Sequence, residues 1–519
     1  MSTSLDFILP IGLGVDELLA RVQQKFRHLS EPPRMLQRTW YDSFDWRLYA
    51  NNSTLEDTRD GNEHTLVWRT LKGNQGDVRL KLKKAPRFAW DLPQGHFRER
   101  LEPVLEMREL APKLRIRSRV NTLRILNKDE KTVAWLVVEE NTLPRQKGLR
   151  AGKLDNRVSV IQVRGFPKPS GEVAKLLQQQ GLSPAQGDLL QTALSMFGEA
   201  PGSYSSKLNL ELDPAMRADE ASKLILQRLL DIMLQNEAGT RIGTDTEFLH
   251  DYRVAVRRTR SALSQIKAVF PKQIVDRYKT EFAWLGQITT PSRDLDVYLL
   301  TFDEYRDSLP VSMQADIEPL RDFLIRHQKL ENKALVKAMD SARYRRIITN
   351  WRSFLEQPVN ERSTLKNAGR PVLEVACARI WRIYRVALRE GNAINAESPA
   401  EALHDLRKTC KKLRYLMEFF QSLFPSSDIK ELIRILKTLQ DNLGDFQDYE
   451  VQVSTLKEFS HQMVAEGQVP PDTLLAMGIL IDGLERRQHQ AREAFADRYS
   501  GFSQPDNQER FRQLFASSH

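Results

Sequence analysis

Leu249-His250-Asp251-Tyr252-Arg253 and Leu403-His404-Asp405-Leu406-Arg407 lie 154 positions apart, and the register between them holds without a gap. Arg257-Arg258-x-Arg260 lies over Lys411-Lys412-x-Arg414, and Phe270-Pro271 over Phe424-Pro425. Leu285 lies over Leu439, and Asp294-x-Asp296-Val297 over Asp448-x-Glu450-Val451. Self-similarity at one fixed spacing marks a duplicated structural unit. It predicts two similar helical halves related by a pseudo-two-fold. The two basic stretches would then occupy related positions, facing one shared surface.

Each stretch belongs to an amphipathic helix that a proline stops. At 100° per residue, His250, Arg253, Arg257 and Arg260 fall on one stripe. Val256, Leu263, Ile266 and Phe270 fall opposite it, and that apolar side is what a helix needs in order to pack. The cationic stripe costs a few tenths of a kcal/mol for each like-charged neighbour pair. An anionic partner would offset this cost. The whole chain has a formal net charge of +10, which favours a polyanion: nucleic acid, a phosphate polymer or an anionic membrane surface. Arg supplies planar forks for bidentate phosphate contacts, and Lys a compact charge. Aromatic rings are sparse along the stripes, whereas binders of single-stranded nucleic acid interleave stacking rings. This tilts the expectation toward a phosphate polymer.

At 519 residues the chain is too long for one core. Residues 1–200 form a first domain, whose residues 1–165 alternate like strands, clearest at Thr65–Leu71, Val78–Lys83, Leu114–Val120, Val133–Glu139 and Val158–Val163. An early helix is expected at Val15–Leu29, and two more at Gly171–Gly181 and Gln186–Phe197. Strands without interleaved helices suggest an antiparallel barrel or curved sheet. Some strands carry basic rows, Arg79/Lys81/Lys83 and Arg115/Arg117/Arg119. Residues 201–212 have linker composition, within the boundary stretch Gly198–Lys207. From residue 213 to 500 the spacing is helical, in halves 213–356 and 371–500, and residues 501–519 form a tail expected as frayed chain or short helix. The expected fold class is therefore α+β with two domains, the second all-α.

Two cysteines, Cys377 and Cys410, both at apolar helical positions, exclude a disulfide framework and a Cys-based zinc site. No stretch offers eighteen consecutive apolar residues, and the N-terminus lacks a basic and then apolar leader. A cytoplasmic protein without a membrane span is expected. No phosphate-cradling glycine loop, nucleophile elbow or Cys/His nucleophile setting appears. No catalytic residue and no obligate cofactor are assigned.

The paired His-Asp-x-Arg helices, each with a basic pair and a further Arg, together with Arg293-Asp294-x-Asp296-Val297, resemble the CHAD domain, the conserved-histidine α-helical domain. The resemblance spans roughly Asp213 to Tyr499. It implies two antiparallel four-helix bundles around a basic cavity, binding of inorganic polyphosphate and association with polyphosphate granules. Carried onto this chain, the binding candidates are His250, Arg253, Arg257, Arg258, Arg260 and Arg293, with His404, Arg407, Lys408, Lys411, Lys412 and Arg414. Gln447 stands where the first half has Arg293, so Arg293 has no counterpart.

The strand-rich part resembles a degenerate CYTH domain, the triphosphate-tunnel fold, through Thr39–Asn51. In that family a Glu-x-Glu-x-Lys opening holds the metal. This chain opens Ser4-Leu5-Asp6-Phe7-Ile8, carries no acid at Val160–Arg164, and has Glu56-Asp57 in place of an Arg-x-Arg. Mg²⁺ or Mn²⁺ would enter only if this domain were active, because phosphoryl chemistry through metals needs carboxylates. A non-catalytic polyphosphate binder is the leading expectation. A metal-dependent triphosphatase and a nucleic-acid or protein scaffold are the alternatives. Asp251 and Asp405 are expected to cap their helices. Asp294, Asp296, Asp448 and Glu450 are expected to pair with the basic helices and hold the bundles in register.

Overall fold

The computed structural model describes residues 4–71, 78–145, 151–185, 189–197, 201–202, 204–467 and 469–516. Parts of the expected linker (residues 198–200 and 203) and of the expected third helix (residues 186–188) lie outside them. The chain divides into two compact units, Met1–Ser205 and Ser206–His519.

The first unit is one antiparallel sheet. Its strands are β1 (Ser4–Ile8), β2 (His28–Ser30), β3 (Arg34–Asp42), β4 (Ser53–Asp60), β5 (Glu63–Thr70), β6 (Val78–Leu82), β7 (Ala111–Leu126), β8 (Thr132–Leu143), β9 (Gly152–Lys153), β10 (Arg157–Gln162) and β11 (Ser183–Pro184). The order is β11-β1-β10-β8-β7-β3-β4-β5-β6, with β2 on β7 and β9 on β8. Its helices are α1 (Val15–Lys25), α2 (Arg47–Ala50), α3 (His96–Leu105), α4 (Pro167–Gln179) and α5 (Leu189–Phe197). Val138, Val158 and Val160 bury one face of the sheet with Leu18 and Val22 of α1 and Val173 and Leu177 of α4.

Directly paired residues share a face of a sheet. Glu56 pairs with Trp40 and Val67, and Val67 with Arg79. Asp57 pairs with Thr39, and Thr39 with Arg115. The rows that contain Arg79 and Arg115 therefore lie on opposite faces of the sheet.

The second unit is helical: α6 (Ala218–Ile242), α7 (Thr246–Gln265), α8 (Lys272–Leu300), α9 (Phe302–Asp307), α10 (Glu318–Met339), α11 (Ala342–Glu356), α12 (Val372–Asn392), α13 (Ala400–Phe419), α14 (Ser426–Ala465), α15 (Pro471–Glu493), α16 (Phe495–Ser503) and α17 (Pro505–Phe515). The 154-residue offset maps the first residues of α6, α7 and α8 onto those of α12, α13 and α14. It also sets Arg217 opposite Pro371 in an antiparallel bridge. The Ala218 N–H donates to Arg370 O at 2.9 Å, and the Val372 N–H donates to Met216 O at 2.8 Å. Each of these bonds maps onto the other under the offset, which is what a pseudo-two-fold axis through the bridge requires.

Two helices run longer than the periodicity suggests. The apolar spacing breaks between Ile288 and Leu295, yet α8 is continuous through Pro291; it breaks likewise between Leu443 and Glu450, which fall within the 40-residue α14. The apolar stripe changes partner along these helices. Leu285 and Leu439 sit in the large core, whereas Leu295, Val453 and Leu456 sit in a second core built with α10 and α15. Between the two cores the charged motif interrupts the stripe and mimics a helix end. Both cores draw on both halves. Between Gly501 and Phe515 the chain packs inward: Phe502, Phe511 and Phe515 are buried, and Phe511 stacks on Tyr384 at 3.8 Å.

Candidate anion-binding surface of the helical repeat

Helix α7 begins at Thr246 because the Asp245 carboxylate accepts from the Glu247 and Phe248 N–H groups at 3.0 and 3.2 Å. Asp251 therefore sits within the helix, one turn beyond its start, and does not cap it. Helix α13 likewise begins at Ala400 after Pro399, and the exposed Asp405 pairs with Lys408 at 3.2 Å. The capping expectation fails at both positions, because each helix starts a turn earlier than the His-Asp pair suggests.

Helices α7 and α13 pack against each other, bringing the two basic stripes together. Arg258 reaches across to Glu418 on α13 at 2.7 Å and to Ser206 O at 3.1 Å. Glu418 also accepts Arg414 at 3.4 Å, and both guanidiniums lie over the Tyr415 ring. These two arginines are part of the joint between the halves.

Arg257 and Lys411 occupy equivalent positions. Burial first, then the Arg407 and Arg257 charges, push the Lys411 ammonium down from its ordinary 10.5 to about 8. Lys411 is half-buried and has no acceptor among the described residues. Exposed Arg257 and Lys412 and the Arg260 guanidinium also lack an ion-pair or hydrogen-bond partner among the described residues.

Arg253 lies beside a proline-interrupted turn. Pro291 contributes no N–H to its helix. In the turn before it, Arg253 Nη1 donates to Gly286 O and to the Thr289 and Thr290 hydroxyls at 2.8–3.1 Å. Burial first, then the Arg257 and Arg293 charges, lower this guanidinium to about 10 against the pull of Asp294. Arg253, Arg257, Arg260, Ala283, Gly286, Gln287, Thr289 and Thr290 line a cavity of 210 Å³. The threonines and Gly286 are absent from the sequence-derived candidates; their signal was the cationic stripe's need for a facing wall.

The histidines differ. Arg293 Nη2 lies 3.2 Å from His250 Nδ1. A guanidinium only donates, so Nδ1 accepts and the ring carries its proton on Nε2. In the second half Gln447 replaces Arg293 and instead accepts from Arg407 at 2.5 Å. His404 is half-buried and makes no hydrogen bond among the described residues.

The acidic motif pairs less than expected. Asp448 holds Arg407 at 3.1 Å, but buried Asp296 accepts from Gln328 at 3.0 Å, and Asp294 and Glu450 are exposed without a salt bridge among the described residues. The tertiary path of α10 past α8 supplies the competing amide.

Residues 224–457 match the family model described as the CHAD domain. This stretch of the chain is a CHAD domain. The chain is 25% identical over 301 residues to two uncharacterized proteins from strains CDC 1551 and H37Rv of Mycobacterium tuberculosis, covering 55% of this chain and 56% of each relative. It thus spans little more than half the length of these relatives. The solved CHAD domain from the plant Ricinus communis is 23% identical, covering 60% of this chain and 96% of that one, with a TM-score of 0.44. A Hippeastrum adenylyl cyclase candidate with a dominant triphosphatase activity is 13% identical, covering 40% of this chain and all of that one, with a TM-score of 0.28.

Within the CHAD domain, then, the twelve candidates divide three ways. Arg258, Arg293, Arg407 and Arg414 are held by protein partners, and Lys408 pairs with Asp405 on the surface. Arg253 has its Nη1 engaged, while Arg257, Arg260, Lys411 and Lys412 remain open. His250 is oriented by Arg293 and His404 is not. No helix among the described residues is long and apolar enough to cross a membrane.

In the first unit Glu56, Glu139 and Asp6 are engaged by protein donors. Glu56 is buried between Arg38, at 2.6 Å, and Arg69, and Arg38 also holds Glu139 at 2.9 Å. Burial alone would raise the Glu56 carboxyl, but the two arginines pull it down to about 2. Its lone pairs are spent on guanidinium donors, whose charge repels a divalent ion. Asp6 accepts from Ser159 and Ser4 at 2.6 and 2.8 Å.

Proposed function

We propose that the CHAD domain of this chain binds inorganic polyphosphate along the α7–α13 surface, without chemical turnover, and that this attaches the protein to polyphosphate granules. The observation that carries the reading is Lys411. A half-buried ammonium with no acceptor among the described residues, under the like charges of Arg407, Arg257 and Arg414, is a destabilising arrangement for the free protein. A chain of phosphates supplies the missing negative charge at regular spacing. It needs only cations along a surface, with no base-reading or stacking groups.

The test is a titration with long-chain polyphosphate in competition with RNA. Polyphosphate should win, and its affinity should fall steeply with salt as counterions are released. Reversing Arg257 and Lys411 together to Glu should abolish the binding. Retained affinity in that variant, or preference for RNA, would overturn the reading.

A further inference from the structure

The two halves are equivalent in backbone but not in the cavity beside the basic stripe. In the first half Gly286 forms part of the wall, under Arg260. The offset places Gln440 at the Gly286 position, and its side chain is buried to 6% exposure with neither amide atom hydrogen-bonded among the described residues. The offset also places Asp441 at Gln287 and Gly444 at Thr290, replacing an amide by a carboxylate and a hydroxyl by nothing. The arginines follow the same division. Arg407 is committed to Gln447 and Asp448, and Arg414 to Glu418, whereas Arg260 is open and Arg253 has a single nitrogen engaged.

A volume of 210 Å³ is below the roughly 300–1,000 Å³ of pockets that enclose drug-sized ligands. It suits one phosphoryl group with its water. Three guanidiniums suit the group that carries the most charge and the most free oxygens, while the Thr289 and Thr290 hydroxyls, which accept from Arg253 and donate to Leu285 O and Gly286 O, hold Arg253 in place. In a linear phosphate polymer that group is the chain end, whose second ionisation lies at about 6, whereas each interior unit carries a single negative charge.

We infer that the first-half cavity, walled by Arg253, Arg257, Arg260, Thr289 and Thr290, is the seat of a terminal phosphoryl group, and that Gly286 against Gln440 makes the domain bind a chain with one end fixed. The following phosphates then run over Arg257 toward Lys411 on the second half. This inference rests on the polyphosphate reading and gives that surface a direction.

The experiment compares linear tripolyphosphate, which has two ends, with cyclic trimetaphosphate, which has none, by calorimetry on the full chain. Wild-type protein should prefer the linear form by about tenfold or more, given the charge-assisted bonds available only to a terminal group. Gly286 is helical without a positive φ, and a Cβ there would stand 3.6 Å from Arg260 Nη1, an ordinary contact. Gly286→Ala should therefore keep the preference, and Gly286→Gln, which puts the second half's bulky residue in the cavity wall, should erase it while long-chain polyphosphate still binds. Equal affinity of the wild type for the two triphosphates, or an unchanged preference in Gly286→Gln, overturns the directional seat but leaves long-chain binding standing. Absence of any polyphosphate binding by the wild type overturns both.

Discussion

Arg257 on α7 and Lys411 on α13, 154 positions apart, lie within electrostatic reach of each other where the two helices pack, and the arginine's charge adds to burial and Arg407 in lowering the Lys411 ammonium to about 8. Equivalent residues of a duplicated unit come together only near its symmetry axis. The bridge between Arg217 and Pro371 marks the same axis. Like charges therefore converge where the two halves join, and the fold itself gathers a cationic surface from two modest stripes.

Lys411 should make anion binding proton-linked. Between about 8 and 10.5 the unfolded chain holds a proton that the folded chain lacks, so folding stability should rise with pH across that window, with the full cost present below about 8. A bound phosphate favours the ammonium. Above about pH 8, binding should take up a proton and weaken as pH rises. Calorimetry in buffers of different ionisation heat should show this uptake in wild type and a smaller one in Lys411→Met.

Arg257 and its neighbour Arg258 should separate binding from folding. Arg257 has no hydrogen-bond or ion-pair partner among the described residues, whereas Arg258 joins α7 to Glu418 and Ser206. Arg257→Ala should lower the salt slope of polyphosphate binding by about 0.7–0.9 and leave unfolding unchanged. Arg258→Ala leaves Glu418 with Arg414 alone and should lower the urea midpoint. Salt titrations and urea melts of both variants check the split.

Glu56 should be a stability residue of the first unit. Glu56→Gln leaves Arg38 and Arg69 short of their shared carboxylate, at a cost of about 3–5 kcal/mol for a broken buried pair. Because its carboxyl is depressed from 4.5 to about 2, its contribution is present above 4.5 and is lost as pH falls toward 2. Acid unfolding should start at higher pH in the variant. Neither protein should release phosphate from tripolyphosphate with Mg²⁺ or Mn²⁺, and release by the wild type would revive the triphosphatase alternative.

Phe511 should anchor the C-terminal helix. It is fully buried and stacks on Tyr384 with rings 7° from parallel. Phe511→Ala should cost about 3–5 kcal/mol, measured by denaturant unfolding, whereas truncating a frayed end would cost nothing.

The sequence by itself determined the duplication, because an ungapped 154-residue offset survives in residue identities and reappears in three pairs of helix starts. It also determined the basic stripes, since the 3.6 period places Arg253, Arg257 and Arg260 together. Only the tertiary structure decided which cations are free. Arg258 and Lys412 occupy equivalent positions, yet Arg258 meets Glu418 while the residue that the offset sets at Glu418 is Ser264. Helix ends escaped the periodicity because α8 and α14 pass from one core to another, and the charged turn between them looks like a stop. Whether a charge is open or spent depends on what another helix brings within 3 Å of it, and no local pattern along one helix carries that distance.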